Sequence, residues 1–284
     1  MSKEESGYCT RPLLVIFLAG MVCLPAFGQV FPLGPPPATA PAPSSLMAHA
    51  STMAPANGSG SIETAGLFGP PYPAGTDWKQ IRTPHHRLVF PEGHGEEARR
   101  AASILSRTRG PVQDELNTEV APLPLILNTT KLTANGYFSL APRRSEWYGC
   151  NTQSQFAGPV DWYTLLALHE GRHAAQFSAL DIGFTRWARY AAGEYGWALL
   201  AMYSVPLWFF EGDAIMAETL FSGAGRGRGA AFHREYRAIA VEKADVSYSQ
   251  AYLGSYRTHF PSHYHLGFPL VAYVRLEYGQ DAWV

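Results

Sequence analysis

Apolar and polar positions along the chain fall into two different patterns. Short apolar runs at 87–90, 122–127 and 137–140 predict three strands, since each run is brief and none continues at helical spacing. Apolar residues at helical spacing recur in longer segments, at 95–116, 206–222, 229–243 and 264–278. A small N-terminal sheet followed by a mainly helical part predicts an α+β fold.

The clearest helical pattern follows Asp161, a residue type that suits the N-cap of a helix. The residues that recur at helical spacing after it are Trp162, Leu165, Leu166, His169, His173 and Phe177. This spacing predicts an amphipathic helix that carries both histidines on one face.

The stretch Gly196–Phe210 is apolar enough to be mistaken for a membrane span. It has only 15 residues and contains Pro206, whereas a span needs about 20 predominantly apolar residues. We therefore predict a buried core segment. The lack of a suitable span also argues against a membrane-embedded protease.

The first 28 residues have the features of a secretory signal peptide. Lys3 and Arg11 precede an apolar run of about 13 residues, and Ala26 and Gly28 are small residues at the positions that a signal peptidase recognises. The alternative is an uncleaved anchor helix, for which the run is short. We predict cleavage after Gly28 and a secreted or periplasmic protein.

Residues 29–77 are dominated by Pro, Ala, Ser and Gly and have no apolar periodicity. Such a composition cannot bury enough apolar surface to offset the entropy of ordering, so we predict a disordered linker. The folded domain is then 78–284. Because the chain stops at Val284 while its pattern still resembles folded structure, we expect a C-terminally truncated domain, with an abrupt domain end as the alternative.

Composition and charge restrict the possible partners. With 46% apolar and only 16% charged residues, the chain has the composition of a globular protein. The net charge of −1 gives no reason to expect nucleic acid, and a local basic patch has only Arg226 and Arg228 to support it. Cys9 and Cys23 lie in the predicted signal peptide, so Cys150 remains alone and the mature chain has no internal disulfide.

His169, Glu170 and His173 form an H-E-x-x-H motif within the helix that follows Asp161. The four-residue spacing stacks the two imidazoles about one turn apart, so that both can reach one zinc ion. Glu170 is rotated by about 100° from His169, where it can take a proton from the attacking water without ligating the metal. The alternative is a chance match, against which the amphipathic context argues.

A third metal ligand has to come from another segment of the chain. Glu211 is a candidate because it follows an apolar run near a predicted helix start, in the sequence WFFEGDA. By position alone, a first-turn glutamate stabilised by the helix dipole explains this residue at least as well.

H-E-x-x-H at 169–173 followed by W-x-x-E-G-x-A at 208–214 resembles the gluzincins, zinc peptidases with a thermolysin-like or aminopeptidase-like catalytic domain. The resemblance implies a zincin-type fold and Zn²⁺ as the cofactor. It also implies a set of site residues, with Glu170 as the general base and three zinc ligands, His169, His173 and Glu211.

The same resemblance implies that Glu218 is a supporting acid, for which a solvated helix glutamate is the alternative. One departure concerns the interval between the motifs. Thirty-seven residues separate His173 from Glu211, whereas the better-known gluzincins use about half that number. We therefore expect an inserted loop or helix between 179 and 204.

Tyr264 and Gly267 match the Y-x-x-G segment of aminopeptidase-type gluzincins, whose tyrosine stabilises the oxyanion. The resemblance implies this catalytic role for Tyr264, with His263 or His265 as alternatives, while a tyrosine packed in the core is the other interpretation. These aminopeptidases also carry an acid that anchors the free amine of the substrate. The comparable segment 135–144 contains no acid, which favours an endopeptidase.

Together the patterns predict a secreted zinc peptidase that hydrolyses peptide bonds with a metal-activated water. Its partner is a peptide or protein substrate, with no nucleic acid and no stable membrane insertion after signal cleavage. The alternative function is a non-catalytic, peptidase-like binding or scaffold module that retains the metal site. The intact Glu170 favours the enzyme, because a structural metal site does not require it.

Overall fold

The computed structural model of the protein describes residues 72–73, 75–131, 133–151, 158–242, 246–257 and 259–283. The predicted signal peptide and most of the predicted linker lie outside these residues. The described part has an α+β architecture, as predicted, with a sheet in its N-terminal portion and helices in the remainder.

The sheet is mixed and has five strands. They are β1 (Trp78–Arg82), β2 (His86–Pro91), β3 (Leu123–Asn128), β4 (Gly136–Leu140) and β5 (Arg143–Tyr148). Their order in space is β1-β2-β3-β5-β4, with β2, β3 and β5 parallel and both edge strands antiparallel to their neighbours. A helix supplies the crossover that the parallel β2–β3 pair requires.

The three predicted strands are confirmed as β2, β3 and β4, whereas β1 and β5 escaped prediction. Strand β1 has the sequence WKQIR and is exposed at four of its five residues, so it lacks an apolar alternation. Strand β5 has the sequence RRSEWY and buries Ser145 and Glu146 beside Trp147. Buried polar residues conceal the hydrophobic pattern on which the prediction depended.

Seven helices follow or interrupt the sheet in the described residues: α1 (Gly95–Asp114), α2 (Trp162–Ala179), α3 (Gly183–Ser204), α4 (Leu207–Phe221), α5 (Ala230–Val241), α6 (Tyr248–Leu253) and α7 (His263–Tyr278). The five helices predicted from the sequence correspond to α1, α2, α4, α5 and α7. Helix α3 fills the interval for which an inserted loop or helix was expected. It consists of two helical segments, because the backbone leaves helical geometry at Gly193 (φ 66°, ψ −162°). The six-residue α6 was not predicted.

The main core lies between the sheet and helices α1 and α2. Its buried residues include Leu88, Leu125, Leu127 and Trp147 from the sheet, Ala98, Ala101 and Ile104 from α1, and Leu165 and Leu166 from α2. Burying a side chain such as Leu contributes about 1.5–3 kcal/mol, so this layer holds α2 firmly against the sheet. The predicted N-cap is confirmed, since Asp161 Oδ2 accepts a hydrogen bond of 3.0 Å from Thr164 N.

Helix α3 corrects the expectation of a buried core segment at Gly196–Phe210. Trp197, Ala198 and Ala201 are buried, but Tyr203 on the same helix is 83% exposed. Only one face of the second half of α3 is therefore packed. Among the described residues, no helix is both long and apolar enough to cross a membrane.

Helices α4 and α7 approach each other closely through two glycines. A Cβ on Gly267 would lie 1.9 Å from the backbone oxygen of Trp208, and a Cβ on Gly212 would lie 2.3 Å from the backbone carbon of Gly267. No side chain fits at either position. The contact brings the first turn of α7, with Tyr264, toward the start of α4, with Glu211.

Candidate metal centre

Two helices bring three candidate metal ligands together. His169 and His173 lie one turn apart on α2, and their Nε2 atoms are 3.2 Å apart. Glu211 lies in the first turns of α4, and its Oε2 is 3.2 Å from His169 Nε2 and 3.5 Å from His173 Nε2. These three residues form a group whose ligand atoms can hold one metal ion.

The surroundings of the Glu211 carboxylate suit the binding of a cation. Its Oε2 is buried and has no hydrogen bond of normal geometry, although it lies close to both imidazoles. A buried carboxylate oxygen normally has a partner, and a cation between the three ligand atoms would supply one. Two imidazoles and one carboxylate are also a donor set that zinc uses in catalytic sites.

The outer nitrogen of His169 is held by a buried ion pair. His169 Nδ1 lies 2.7 Å from Glu218 Oε1, and Glu218 is fully buried one to two turns after Glu211 on α4. Arg226 forms the other half of the pair through its Nε, 2.9 Å from Glu218 Oε2, and its Nη2 also contacts Oε1. A carboxylate on the outer nitrogen of a ligating histidine fixes the ring and raises its basicity.

Arg226 is a site residue that the sequence analysis did not identify. It had been considered only as part of a weak basic patch, yet it is 7% exposed and joins Glu218. Glycines on both sides allow this approach. A Cβ on Gly225 would lie 2.7 Å from the Glu218 backbone, and a Cβ on Gly227 would lie 2.2 Å from the Phe268 ring. The glycine-rich sequence GAGRGRG was thus a signal of close packing.

The outer nitrogen of His173 has a neutral partner instead. His173 Nδ1 lies 2.9 Å from the side-chain oxygen of Gln176, three residues later on the same helix. Gln176 is buried. The two candidate ligands on α2 are therefore oriented by different chemistry, a carboxylate at His169 and an amide at His173.

Charges in the site determine where protons reside without a metal. Burial opposes the charged form of His169, as does Arg226, but the nearby Glu211 and Glu218 carboxylates outweigh both and raise its pKa to about 9. Burial acts against ionised Glu218 too, yet Arg226 and His169 hold its pKa at about 2. In the same way His173 and His169 overcome burial and keep the pKa of Glu211 well below its usual value. Metal binding would therefore displace protons from the imidazoles.

Glu170 is buried next to the candidate ligands but outside the group that could hold the metal. No hydrogen bond joins its carboxylate to another residue in the described part of the chain. Burial raises the pKa of Glu170, while the charges of His169 and His173 act in the opposite direction. A buried carboxylate with a raised pKa and free oxygens suits a proton acceptor.

Tyr264 lies in the same site. Its ring centroid is 6.4 Å from that of His169, and the Arg226 guanidinium carbon is 5.4 Å from the centre of its ring. Burial, with the charge of Glu211 as a further cause, raises the pKa of Tyr264 well above its usual value, so the phenol keeps its proton. The ring also packs against a core cluster that includes Phe268, so both interpretations of Tyr264 fit its position.

The two alternative histidines differ in their surroundings. The ring centroid of His263 lies 4.5 Å from that of Tyr264. Burial lowers the pKa of His263, and the charge of Glu211 offsets part of this shift. The ring of His265 stacks on Phe232 at 4.5 Å, and its Nδ1 lies 3.0 Å from the Ser262 hydroxyl. His263 therefore packs beside Tyr264, whereas His265 packs on Phe232.

The segment that lacks an amine-anchoring acid forms β4 and the start of β5. The nearest acid along the chain is Glu146, which is 1% exposed. Its carboxylate accepts hydrogen bonds from Tyr72 at 3.3 Å, Asn128 at 2.8 Å and Tyr137 at 2.5 Å. Glu146 is therefore fully engaged inside the fold and ties Tyr72, from the predicted linker, to the sheet.

Comparison with known proteins identifies no family for this chain. No family model matches it, and no curated protein matches it. Among solved structures it is similar to the crystal structure of the aminopeptidase N family protein from Idiomarina loihiensis, with a TM-score of 0.40 and 12% identity. The match covers 71% of this chain and 37% of that chain, so the protein spans little more than a third of its length. A similarity this distant carries no argument about activity.

Proposed function

We propose that this protein is an exported zinc peptidase in which His169, His173 and Glu211 bind the metal. The observation that carries the proposal is the convergence of three ligand atoms from α2 and α4, with one buried carboxylate oxygen left without a hydrogen bond. The signal-peptide pattern of the first 28 residues supports export.

The chain's own residues can carry the proton transfers of peptide hydrolysis. When bound, the metal supplies Lewis-acid activation of a water and of the scissile carbonyl. Glu170 takes the proton of the attacking water and passes it to the leaving amine. Its buried position and raised pKa suit this proton transfer. Tyr264 keeps its proton and donates a hydrogen bond to the developing oxyanion.

We further propose endopeptidase rather than aminopeptidase specificity. The segment 135–144 contains no acid, and the buried Glu146 already accepts three hydrogen bonds. A substrate's free amine therefore lacks an anionic partner from this part of the sheet. Cleavage of internal bonds in a library of blocked peptides tests this specificity, and release of free N-terminal residues alone would contradict it.

The proposed function is tested with Glu170→Gln, which removes the proton acceptor and retains the three ligands. We expect the variant to bind one zinc per chain like the wild type and to lose about 10²–10⁴-fold in kcat for peptide hydrolysis. Metal analysis and peptide-library cleavage measure the two effects. Glu277→Gln, an exposed substitution of the same kind, is the control and should change neither.

Three outcomes distinguish the functions. Zinc binding with cleavage that depends on Glu170 supports the peptidase. Zinc binding without cleavage of any peptide or unfolded protein supports a peptidase-like binding module instead. A purified protein that takes up no zinc contradicts the proposed metal site itself.

A further inference from the structure

A buried network of hydrogen-bonded polar side chains adjoins the outer nitrogen of His173. Gln176 Nε2 donates to Asp213 Oδ2 at 2.7 Å and to the Phe210 carbonyl at 3.0 Å. Arg172 in turn donates to Asp213 from two nitrogens, Nε to Oδ2 at 2.7 Å and Nη2 to Oδ1 at 2.9 Å. Arg172 and Asp213 are 1% and 0% exposed, so this bidentate pair is shielded from water.

The partners of Gln176 permit only one orientation of its amide. Both groups in reach of Nε2, the Asp213 carboxylate and the Phe210 carbonyl, are acceptors, so the NH₂ group has to face them. The amide oxygen then faces His173 Nδ1 at 2.9 Å and can only accept. In the neutral imidazole that would bind a metal, the proton of His173 is therefore held on Nδ1, and the lone pair of Nε2 is directed toward Glu211 and His169.

We propose that Arg172 and Asp213 are positioning residues for the metal site, which act by fixing the amide of Gln176 and through it the tautomer and ring of His173. This inference rests on the proposed metal site and adds to it the residues that prepare one ligand. None of the three residues touches the metal ligands' coordinating atoms, so their contribution is to orientation.

The same hydrogen-bonded network also joins the two helices that carry the candidate ligands. Arg172 and Gln176 belong to α2, whereas Phe210 and Asp213 belong to α4 on either side of Glu211. Four hydrogen bonds of 2.7–3.0 Å thus join the helices next to the third ligand. A shift of α4 along α2 that moved Glu211 away from the histidines would therefore also break these hydrogen bonds.

Further contacts anchor Arg172 to the rest of the fold. Its Nη1 donates to the Val112 carbonyl at 3.0 Å and lies 3.3 Å from Glu115, at the end of α1. Glu115 in turn forms an ion pair of 2.7 Å with Arg275 of α7. The arginine of the motif H-E-G-R-H therefore connects the metal-ligand helix with α1, α4 and α7.

The test compares zinc affinity in Gln176→Leu, Asp213→Asn and the wild type, measured by competition with a chromogenic chelator. Gln176→Leu removes the acceptor at His173 Nδ1 and leaves the Arg172–Asp213 pair in place. Asp213→Asn offers Gln176 a donor and frees its amide to turn over. We expect both to weaken zinc binding by about 10–100-fold, the usual effect of losing such an outer partner.

A matched control is Gln113→Leu. The side chain of Gln113 on α1 accepts a hydrogen bond of 3.3 Å from Val120 N, outside the metal site. Its loss should leave zinc affinity within about twofold. The visible absorption spectrum of the Co²⁺-loaded protein gives a second measurement, since a rotated His173 ring changes the bands whereas a purely structural weakening leaves them unchanged.

The outcomes separate this inference from the proposed function. Zinc affinity and Co²⁺ spectra like those of the wild type in Gln176→Leu would overturn the positioning role while leaving the metal site intact. If Asp213→Asn does not fold, Gln176→Leu decides alone. A wild type that binds no zinc would overturn the proposed function and this inference together.

Discussion

Helices α2 and α3 are consecutive in the chain and similar in length, yet they differ sharply in burial. Fourteen of the 18 residues of α2 are buried, whereas α3 buries only four of its 22. Side-chain polarity alone would place Glu170 and Arg172 at the surface and Trp187 and Tyr203 in the core. In the structure α2 buries the two charged residues, while α3 exposes the two aromatic ones. The comparison shows that burial is decided by the neighbouring elements and not by the side chain alone.

The physical reason lies in the partners of each helix. Arg172 and Gln176 of α2 remain buried because α4 supplies their partners, Asp213 for both and the Phe210 carbonyl for Gln176. Helix α3 packs only one face, where Trp197 joins a cluster with Phe177 and Phe210. Substitutions around α2 should therefore be costly, and most substitutions on α3 should be mild.

A large effect is expected from Gly267→Ala at the α4–α7 contact beside α2. The new Cβ would meet the backbone of Trp208, which no rotamer change can relieve. We expect a loss of about 3 kcal/mol or more in the free energy of unfolding, at or above the upper end of ordinary overpacking. Urea unfolding of the metal-free protein measures it.

Gly171→Ala is the control for that substitution. On α2 the added Cβ would have its nearest contact with Val112 Cγ2 at 3.4 Å, and alanine has the better helix propensity. We expect a change within about 1 kcal/mol. Equal losses in the two variants would mean that the close approach of α4 and α7 is not the cause.

A smaller effect is expected from Glu218→Gln, which removes the negative charge at His169 Nδ1 and retains the shape of the side chain. Zinc affinity should fall by about 10–100-fold, or roughly 1.4–2.7 kcal/mol, because the ligand loses its anionic partner. Calorimetric titration of the metal-free protein measures this change. An unchanged affinity would show that the Glu218–Arg226 pair serves only the packing of the loop.

The smallest effect is expected on the outer face of α3, from Trp187→Ala. This side chain is 61% exposed, so its loss should change the free energy of unfolding by no more than about 0.5 kcal/mol. Trp197→Ala, in the second helical segment of α3 beyond Gly193, is the contrasting substitution. Because Trp197 is 2% exposed, that substitution should cost about 3–5 kcal/mol.

These two tryptophans also provide the most direct test of the difference in burial between α2 and α3. Both free energies of unfolding come from the same denaturant experiment, and the two tryptophans lie in α3 on either side of Gly193. A loss above about 2 kcal/mol for Trp187→Ala would mean that the outer face of α3 is covered in solution, since an exposed side chain does not contribute that much. The contrast between α2 and α3 would then be wrong.

Much of the helical part could be predicted because its signals are local. Asp161 was recognised as an N-cap, and the helix it begins is confirmed. Strands β1 and β5 could not be found, since β1 is an exposed edge and β5 buries Glu146, whose partners come from other segments. A pattern read along one segment contains no information about donors that arrive from elsewhere in the fold.

The candidate site divides in the same way. The pairing of His169 with His173 follows from helical spacing, and the choice of Glu211 followed from resemblance to the gluzincins. The role of Arg226 could not be read from its surroundings in the chain, because it reaches Glu218 across a loop that bends at Gly225. Of the charged neighbours that set the pKa of His169, Glu211 and Glu218 were expected in the site only through that resemblance, and Arg226 was not expected there.

The sequence by itself determined helix α2 and the stacking of two histidines on it, because four-residue spacing places side chains together in any helix. The tertiary structure alone decided what lies behind those histidines, Glu218 with Arg226 on one side and Gln176 with Asp213 on the other. The contacts of Glu218 with His169 and of Asp213 with Gln176 span 49 and 37 residues of the chain and join helix α4 to α2. Contacts between segments so far apart in the sequence form only when the whole core packs.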